Sequence, residues 1–346
     1  MNRTAIYALT PQGARLGKVL ADRLVGDLFL PYRLAEEYRA IPFYRLMEVV
    51  ARNFSSYPRQ VFIAAAGIVV RVISPHLKRK DCDPAVIVLD HQGRYVISLL
   101  SGHLGRANEL AREIALLTGG EAVITTATDV AGVPSIDLLA SEKGFIILNI
   151  DAIKSVNMAI LTGEPVQIFD PESRLCLMDH ECMGFNVEQV AEKKDWVKSK
   201  PGIWVTWKDK RPDPITRQLI LHPRCLVAGI GCNRGTDSRE IVELIRSTFR
   251  ENALALHSLK CLSTIDAKRG ESGLREAAQQ LGVPLSFASP SELKSIRVPH
   301  PSRVVEKHVG VSSVCEAAAL LKSGSGRLLV PKTRSLNATL AVALEG

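Results

Sequence analysis

Along this chain, apolar residues alternate between unbroken runs of four to six and spacings of three and four, the rhythm of strands and amphipathic helices in an α/β protein. Residues 5–10, 27–30 and 60–65 read as strands. Helices are predicted over Pro11–Leu24, where Leu16, Leu20 and Leu24 share a face, and over 42–53. Pro11 falls in a first turn, where its missing N–H is tolerated. Residues 68–77 read as a helix because they lie between strand signals, and 85–90 and 94–100 as strands flanking the turn His91-Gln92-Gly93. Ser101-Gly102-His103 then turns the chain into a helix, along which Leu104, Ala107, Leu110, Ile114 and Leu117 recur on one face. Asn108, Glu109, Arg112 and Glu113 occupy the other face. Gly119-Gly120 supplies a left-handed stop, and residues 122–126 start the next strand.

Between residues 141 and 221 the pattern weakens. This stretch holds all three tryptophans, Trp196, Trp204 and Trp207, with a predicted strand at 203–207 and a loop at Arg211-Pro212-Asp213-Pro214. From Cys225 the α/β rhythm returns. Strands are predicted at 226–230, 254–259, 284–288 and, last, 327–330, with helices at 274–281 and 313–321. Asp237 and Glu240 fit a capping box opening a helix that runs to Phe249. Two α/β layered domains, 1–140 and 222–346, are therefore expected around a small middle domain, 141–221. A length of 346 residues agrees with more than one core.

Composition narrows the function. The chain is 46% hydrophobic, yet no apolar run reaches the ~18 residues of a membrane helix, and the first apolar stretch is too short for a signal peptide. Seven scattered cysteines fit a reducing compartment, so a cytoplasmic protein is expected. A formal net charge of +8 suits either a solvated basic surface or an anionic ligand. Only 5% of residues are aromatic and no basic–aromatic recognition pattern occurs, which argues against nucleic acid.

In open α/β sheets ligands bind where strands deliver their carboxyl ends, and a helix start there favours an anion. Two stretches meet that description. In the first, His103 can serve as acid, base or donor, or be a histidine satisfied by local backbone. A helix N-terminus would keep its ring neutral. Asn108 is a candidate ligand contact, and Glu109 and Arg112 read as solvated helix charge. Thr125, Thr126, Thr128 and Asp129 either line the same sheet edge or make an ordinary turn. In the second, Gly229-x-Gly231-x-x-x-Gly235 is one residue longer than a dinucleotide fingerprint, and no acidic residue ends the next strand. Its glycines with Arg234 could hold a carboxylate or phosphate, or simply make a tight turn. Cys176 with His180-x-Cys182 lacks the second ligand pair of a metal site.

SGHLGRANELA followed by VITTATD, together with GIGCNRGT, VSSVCEAAAL and LLVPK, resembles the CbiG family of anaerobic cobalamin synthesis. Arg106, Asn233, Ser312 and Cys315 depart from the residues common there. The resemblance spans essentially the whole chain and implies an N-terminal domain, a variable middle and a C-terminal domain similar to CobE. It implies hydrolysis of the ring A δ-lactone of cobalt-precorrin-5A, with loss of the methylated C20 carbon as acetaldehyde. The substrate brings its own cobalt, so neither a cofactor nor a protein metal site is expected. Within this reading His103 is the candidate base, with Asp129 or Glu316 as alternatives, and backbone N–H groups near Gly102 as oxyanion donors. Ser101, Gly102, Asn108, Glu109, Thr126, Gly229, Gly231, Arg234, Gly235, Ser312 and Ser313 are the candidate substrate contacts, and Lys78-Arg79-Lys80 a steering patch. The expected partner is the corrinoid substrate, with pathway methyltransferases and a homodimer left open. A corrinoid carrier without activity and a nucleotide-dependent oxidoreductase are the competing functions.

Overall fold

The computed structural model describes residues 3–79, 82–133, 135–177, 185–209, 217–300, 313–324 and 326–346. They form three mixed sheets covered by helices, and the chain clusters into two compact units. One unit takes the chain as far as Ser141 together with Asn157–Glu164; the other holds Glu142–Val156, Pro165–Leu177 and the chain from Val187 onward.

The first unit is built on strands whose apolar runs are buried on both faces. Thr4–Ala8 and Ala85–Leu89 are buried at every position, as expected of parallel strands between helical layers. The spatial order of the seven strands is Ile41–Phe43, Asp27–Pro31, Thr4–Ala8, Arg59–Ile63, Ala85–Leu89, Tyr95–Leu100, Glu121–Val123. The first five run parallel; Tyr95–Leu100 runs antiparallel to Ala85–Leu89, and Glu121–Val123 parallel to Tyr95–Leu100. Helix Pro11–Leu24 packs Ala14, Leu20 and Ala21 beneath this sheet, its first turn closed by Thr10, whose hydroxyl accepts the Gly13 N–H at 3.1 Å.

Two predicted boundaries move here. Residues 41–43 are not helical: they form the edge strand, where Pro42 needs no ladder partner on its open side, and the helix starts at Leu46. The helix after His103 starts at Ala107, so Leu104 belongs to the loop, and Leu117 is 40% exposed. The buried stripe is instead Ala107, Leu110, Ala111, Ile114 and Ala115.

The second unit carries two sheets. One orders Val187–Gln189, Val166–Phe169, Gly202–Val205 and Gln218–His222 in parallel, with Ile146–Ile147 antiparallel at the edge. The other orders Leu285–Ala288, Leu259–Ile265, Leu226–Cys232, Ala338–Leu344 and Arg327–Arg334. Ala338–Leu344, unassigned in the sequence reading, runs antiparallel to Leu226–Cys232 along its whole length. The strand predicted at 254–259 lies further on, at Leu259–Ile265, because 256–258 form a short 3-10 turn. Asp237 does cap helix Ser238–Glu251, accepting the Arg239 N–H at 2.7 Å, but the box does not close. Glu240 reaches away to Ser335 Oγ and the Asn337 N–H, each 2.6 Å.

Candidate functional site

The segment between Tyr95–Leu100 and helix Ala107–Thr118 is held in a conformation that few residues adopt. Ser101 and Arg106 have φ of 58° and 63°, left-handed values that ordinary side chains disfavour. Ser101 Oγ donates to the Asp83 carbonyl at 3.0 Å, and the Ala107 and Asn108 N–H groups return to the Ser101 and Gly102 carbonyls, both at 3.1 Å. Gly105 lies against Ser101, so that a Cβ would collide with the Ser101 side chain. This six-residue turn projects His103 into a polar cluster, all of it within the first unit.

Both nitrogens of the His103 ring face carboxylates. Nε2 lies 3.1 Å from Asp129 Oδ2 and 3.1 Å from Thr128 Oγ1. Nδ1 lies 3.1 Å from Ser135 Oγ and 3.5 Å from Asp137 Oδ2. Each carboxylate is in turn anchored. Asp129, on the short helix Ala127–Ala131, accepts from Arg112 Nη2 at 2.5 Å and from Asn108 Nδ2 at 2.9 Å. Asp137, at the start of helix Ile136–Glu142, accepts from Ser135 Oγ and from Asn157 Nδ2, the latter at 2.9 Å. Asn157 Oδ1 also accepts the Ile136 N–H at 3.0 Å, which fixes that helix start. Asn108, 3% exposed, accepts from Ser98 Oγ at 2.7 Å and donates to Thr126 Oγ1 at 2.9 Å. Gly102 leaves room for it: a Cβ there would stand 2.8 Å from Asn108 Oδ1.

This environment pushes the His103 pKa upward, opposite to the direction a helix N-terminus would give. The ring lies in a loop ahead of the helix and not at its N-terminus, so the helix dipole does not set its charge. Hydrogen bonding toward Asp137 raises its pKa above the ordinary 6.5; burial opposes the rise, and the charge of Asp137 and the contact with Asp129 reinforce it. Burial would raise the carboxylates, but donors outweigh it. Asp137 is held at about 2 by His103, Ser135 and Asn157, and Asp129 is lowered by Arg112 and His103. The cluster holds the His103 ring between two carboxylates, an arrangement that favours its charged form.

Of the candidate residues, the fold joins His103, Asn108, Thr126 and Asp129 in one network, with Gly102 shaped around Asn108. Arg112, taken as solvated charge, instead anchors Asp129. Ser101 serves the turn itself. Glu109 pairs with Arg106 at 2.6 Å. Asp137, Ser135 and Asn157 escaped the sequence reading. Their one signal is Ser135 and Asp137, a polar pair at the head of an otherwise apolar helix start.

Glu316, in the second unit, is fully buried, and both its oxygens are engaged. Oε1 accepts the Lys332 N–H and faces His300 Nδ1, both at 3.0 Å, and Oε2 accepts the His300 N–H at 3.1 Å. Gly229 packs its backbone against Cys315, where a Cβ would strike the Cys315 carbonyl, and Gly231 faces Thr339. Gly235 has φ of 74°, and its N–H already serves a carboxylate, Glu271 Oε2 at 2.9 Å. The anion expected at this turn is thus supplied by the protein, and Glu271, its pKa lowered first by that N–H, carries the charge beside exposed Arg234. Ser313 is buried against Cys315, its Oγ 3.7 Å from the thiol sulfur. Ser312, His180, Cys182, Lys80 and the 211–214 loop lie outside the described residues. Among the described residues no three metal-ligating side chains form a metal site, and no helix is long and apolar enough to cross a membrane.

Three family models match the chain in succession: the N-terminal region of cobalamin synthesis G at residues 48–129, the cobalamin biosynthesis central region at 134–223, and the cobalamin synthesis G C-terminus at 226–343. A protein of Priestia megaterium named cobalt-precorrin-5A hydrolase is 36% identical over 84% of this chain and 79% of its own length. One of the same name from Salmonella typhimurium is 34% identical over 98% of this chain and 97% of its own. A crystal structure of CobE, from the vitamin B12 pathway, is 38% identical, covering 39% of this chain and 95% of its own, with a TM-score of 0.34. The motifs around His103 and Gly229, the three successive models and the near full-length relatives lead to one conclusion: the chain belongs to the CbiG family.

Proposed function

We propose that this chain is a cobalt-precorrin-5A hydrolase, opening the ring A δ-lactone and releasing the C20 two-carbon unit as acetaldehyde to leave cobalt-precorrin-5B. The names of the relatives support the reaction, and the carboxylate-clamped His103 is the observation that carries its chemistry on this chain. Water adds to the lactone carbonyl, the acyl–oxygen bond breaks, and the departing alkoxide at C20 takes a proton. An imidazolium is suited to give that proton and to stabilise the developing negative charge. Having given it, the neutral ring can take a proton back from the C20 hydroxyl. The C20–macrocycle bond then breaks, the carbonyl of acetaldehyde forms, and the conjugated macrocycle accepts the electron pair.

His103 is thus donor first and acceptor second, and Asp129 and Asp137 orient it and favour its charged form. The ring keeps 13% of its side-chain surface exposed. Cobalt arrives within the substrate, and no step requires another cofactor.

The test is anaerobic incubation with cobalt-precorrin-5A, with acetaldehyde trapped and measured without nucleotide, flavin or added metal. Release that falls steeply in His103→Asn supports the reading. Tight binding of the substrate with no acetaldehyde would overturn it in favour of a carrier.

A further inference from the structure

Leu104, Gly105 and Arg106, the three residues after His103, line a cavity of about 520 Å³ within the first unit. Resting on the hydrolase reading, we infer that this cavity seats a carboxylate-bearing edge of the tetrapyrrole, one pyrrole ring with its acetate and propionate arms. Its volume falls within the range of small-molecule sites, roughly 300–1,000 Å³, and suits part of a macrocycle.

Charge selects the ligand class. Arg59, Lys78 and Arg106 line the cavity beside His76, and Asp83 is the one carboxylate among its described lining residues. Asp83 is already engaged, its two oxygens accepting the Lys78 N–H at 3.0 and 3.2 Å. Arg106 is steered by Glu109, which leaves its position set and its guanidinium half exposed. Convergent cations of this kind recognise carboxylates through charge-assisted hydrogen bonds. Flat surfaces accompany them: the His76 ring lies 5.6 Å from that of Phe54, and Pro58 and Pro84 complete the wall.

The connection to His103 is covalent and short. Residues 101–106 are fixed by two left-handed residues and by the tight Gly105–Ser101 contact. A ring edge held against Gly105 and Arg106 is therefore indexed to the same turn that presents His103. The cavity acts as a positioning subsite, two to three residues from the imidazole along the chain.

Metal-free uroporphyrin III, a flat tetrapyrrole octacarboxylate, is a stable probe for the full-length protein. Its fluorescence should report binding that weakens roughly tenfold in Lys78→Gln and in Arg59→Gln, as for one lost charge-assisted contact each. Cys82 is an exposed thiol lining the same cavity, so saturating uroporphyrin should slow its alkylation at least several-fold, read site-specifically by mass spectrometry. The alkylation result does not depend on any substitution folding correctly. No uroporphyrin binding, Cys82 alkylated at an unchanged rate, or wild-type affinity in both variants would each overturn the subsite. The hydrolase reading is judged separately. Acetaldehyde release with an unaltered KM in the Arg59/Lys78 double variant sinks the cavity alone. Absence of acetaldehyde from the wild type sinks the reaction, and the Cys82 footprint still decides the cavity.

Discussion

Replacing Asp137 by Asn tests the clamp on His103 most directly. The substitution keeps the side-chain shape but removes the charge facing Nδ1 at 3.5 Å and turns one acceptor oxygen into an NH2 donor. Asp137 is 4% exposed, and its carboxyl is held at about 2 against an ordinary 3.8. At ~1.36 kcal/mol per pH unit this difference represents about 2 kcal/mol of coupling in the folded state. Because the folded value is depressed, that stability is present above pH 3.8 and fades as pH falls toward 2. His103 shifts the other way: its contribution is complete below 6.5 and is lost as pH rises through its higher folded value. Urea denaturation at pH 5 to 6 should therefore show Asp137→Asn to be less stable by ~2 kcal/mol, the deficit shrinking as pH drops below 4. In parallel, the His103 ring resonance, assigned by its disappearance in His103→Gln, should titrate at lower pH in Asp137→Asn than in the wild type. A His103 titration unmoved by the substitution, or a stability deficit independent of pH between 5 and 3, would refute the clamp.

His103→Ala should lower kcat by ~10²–10⁴-fold, the usual range for a lost acid–base group, with far-UV circular dichroism unchanged. The wild-type rate should fall on the alkaline side as His103 gives up its proton above 6.5, and in Asp137→Asn that fall should begin at lower pH. Gly102→Ala places a methyl 2.8 Å from Asn108 Oδ1; displacing Asn108 removes one of the donors that hold Asp129 Oδ2 beside His103, so kcat should drop at least about tenfold while thermal stability falls by ~1–3 kcal/mol. Glu316→Gln gives the N–H groups of His300 and Lys332 a weaker, still buried acceptor, so it should lower the melting temperature by an amount equivalent to ~1–3 kcal/mol while kcat stays near wild type.

Local patterning carried much of this structure. The runs at 60–65 and 85–90 are apolar on both faces because they sit inside a parallel sheet, so they were visible as strands. His103, Asn108 and Asp129 were legible as candidates because each falls just past a strand end. The partner on the other side of the ring was not. Asp137 and Asn157 come from helices 34 and 54 residues beyond His103, and no spacing rule links them to it. The upward shift of the ring was missed for the same reason: Asp129 can be guessed from 26 residues away, but the largest contribution comes from Asp137. At Gly235 the glycine pattern suggested a turn for a ligand's anion, whereas the Gly235 N–H serves Glu271, a side chain of the protein itself. The 254–259 assignment failed because Leu254 and Leu259 are both buried, the first in an isolated bridge to Lys208 and the second opening the strand.

The strand Ala338–Leu344 has a kinetic meaning. It lies between Leu226–Cys232 and Arg327–Arg334, and its pairing with the former joins residues more than about a hundred positions apart. During synthesis Leu226–Cys232 can pair with Leu259–Ile265 early, but its other edge stays open until residue 344 has left the ribosome. Through that interval an apolar edge, fully buried in the finished sheet from Leu226 to Ile230, is a template for any extended chain. Slow closure of this one seam is thus where misassembly and aggregation compete with folding, and chaperone dependence should track the time it stays unpaired.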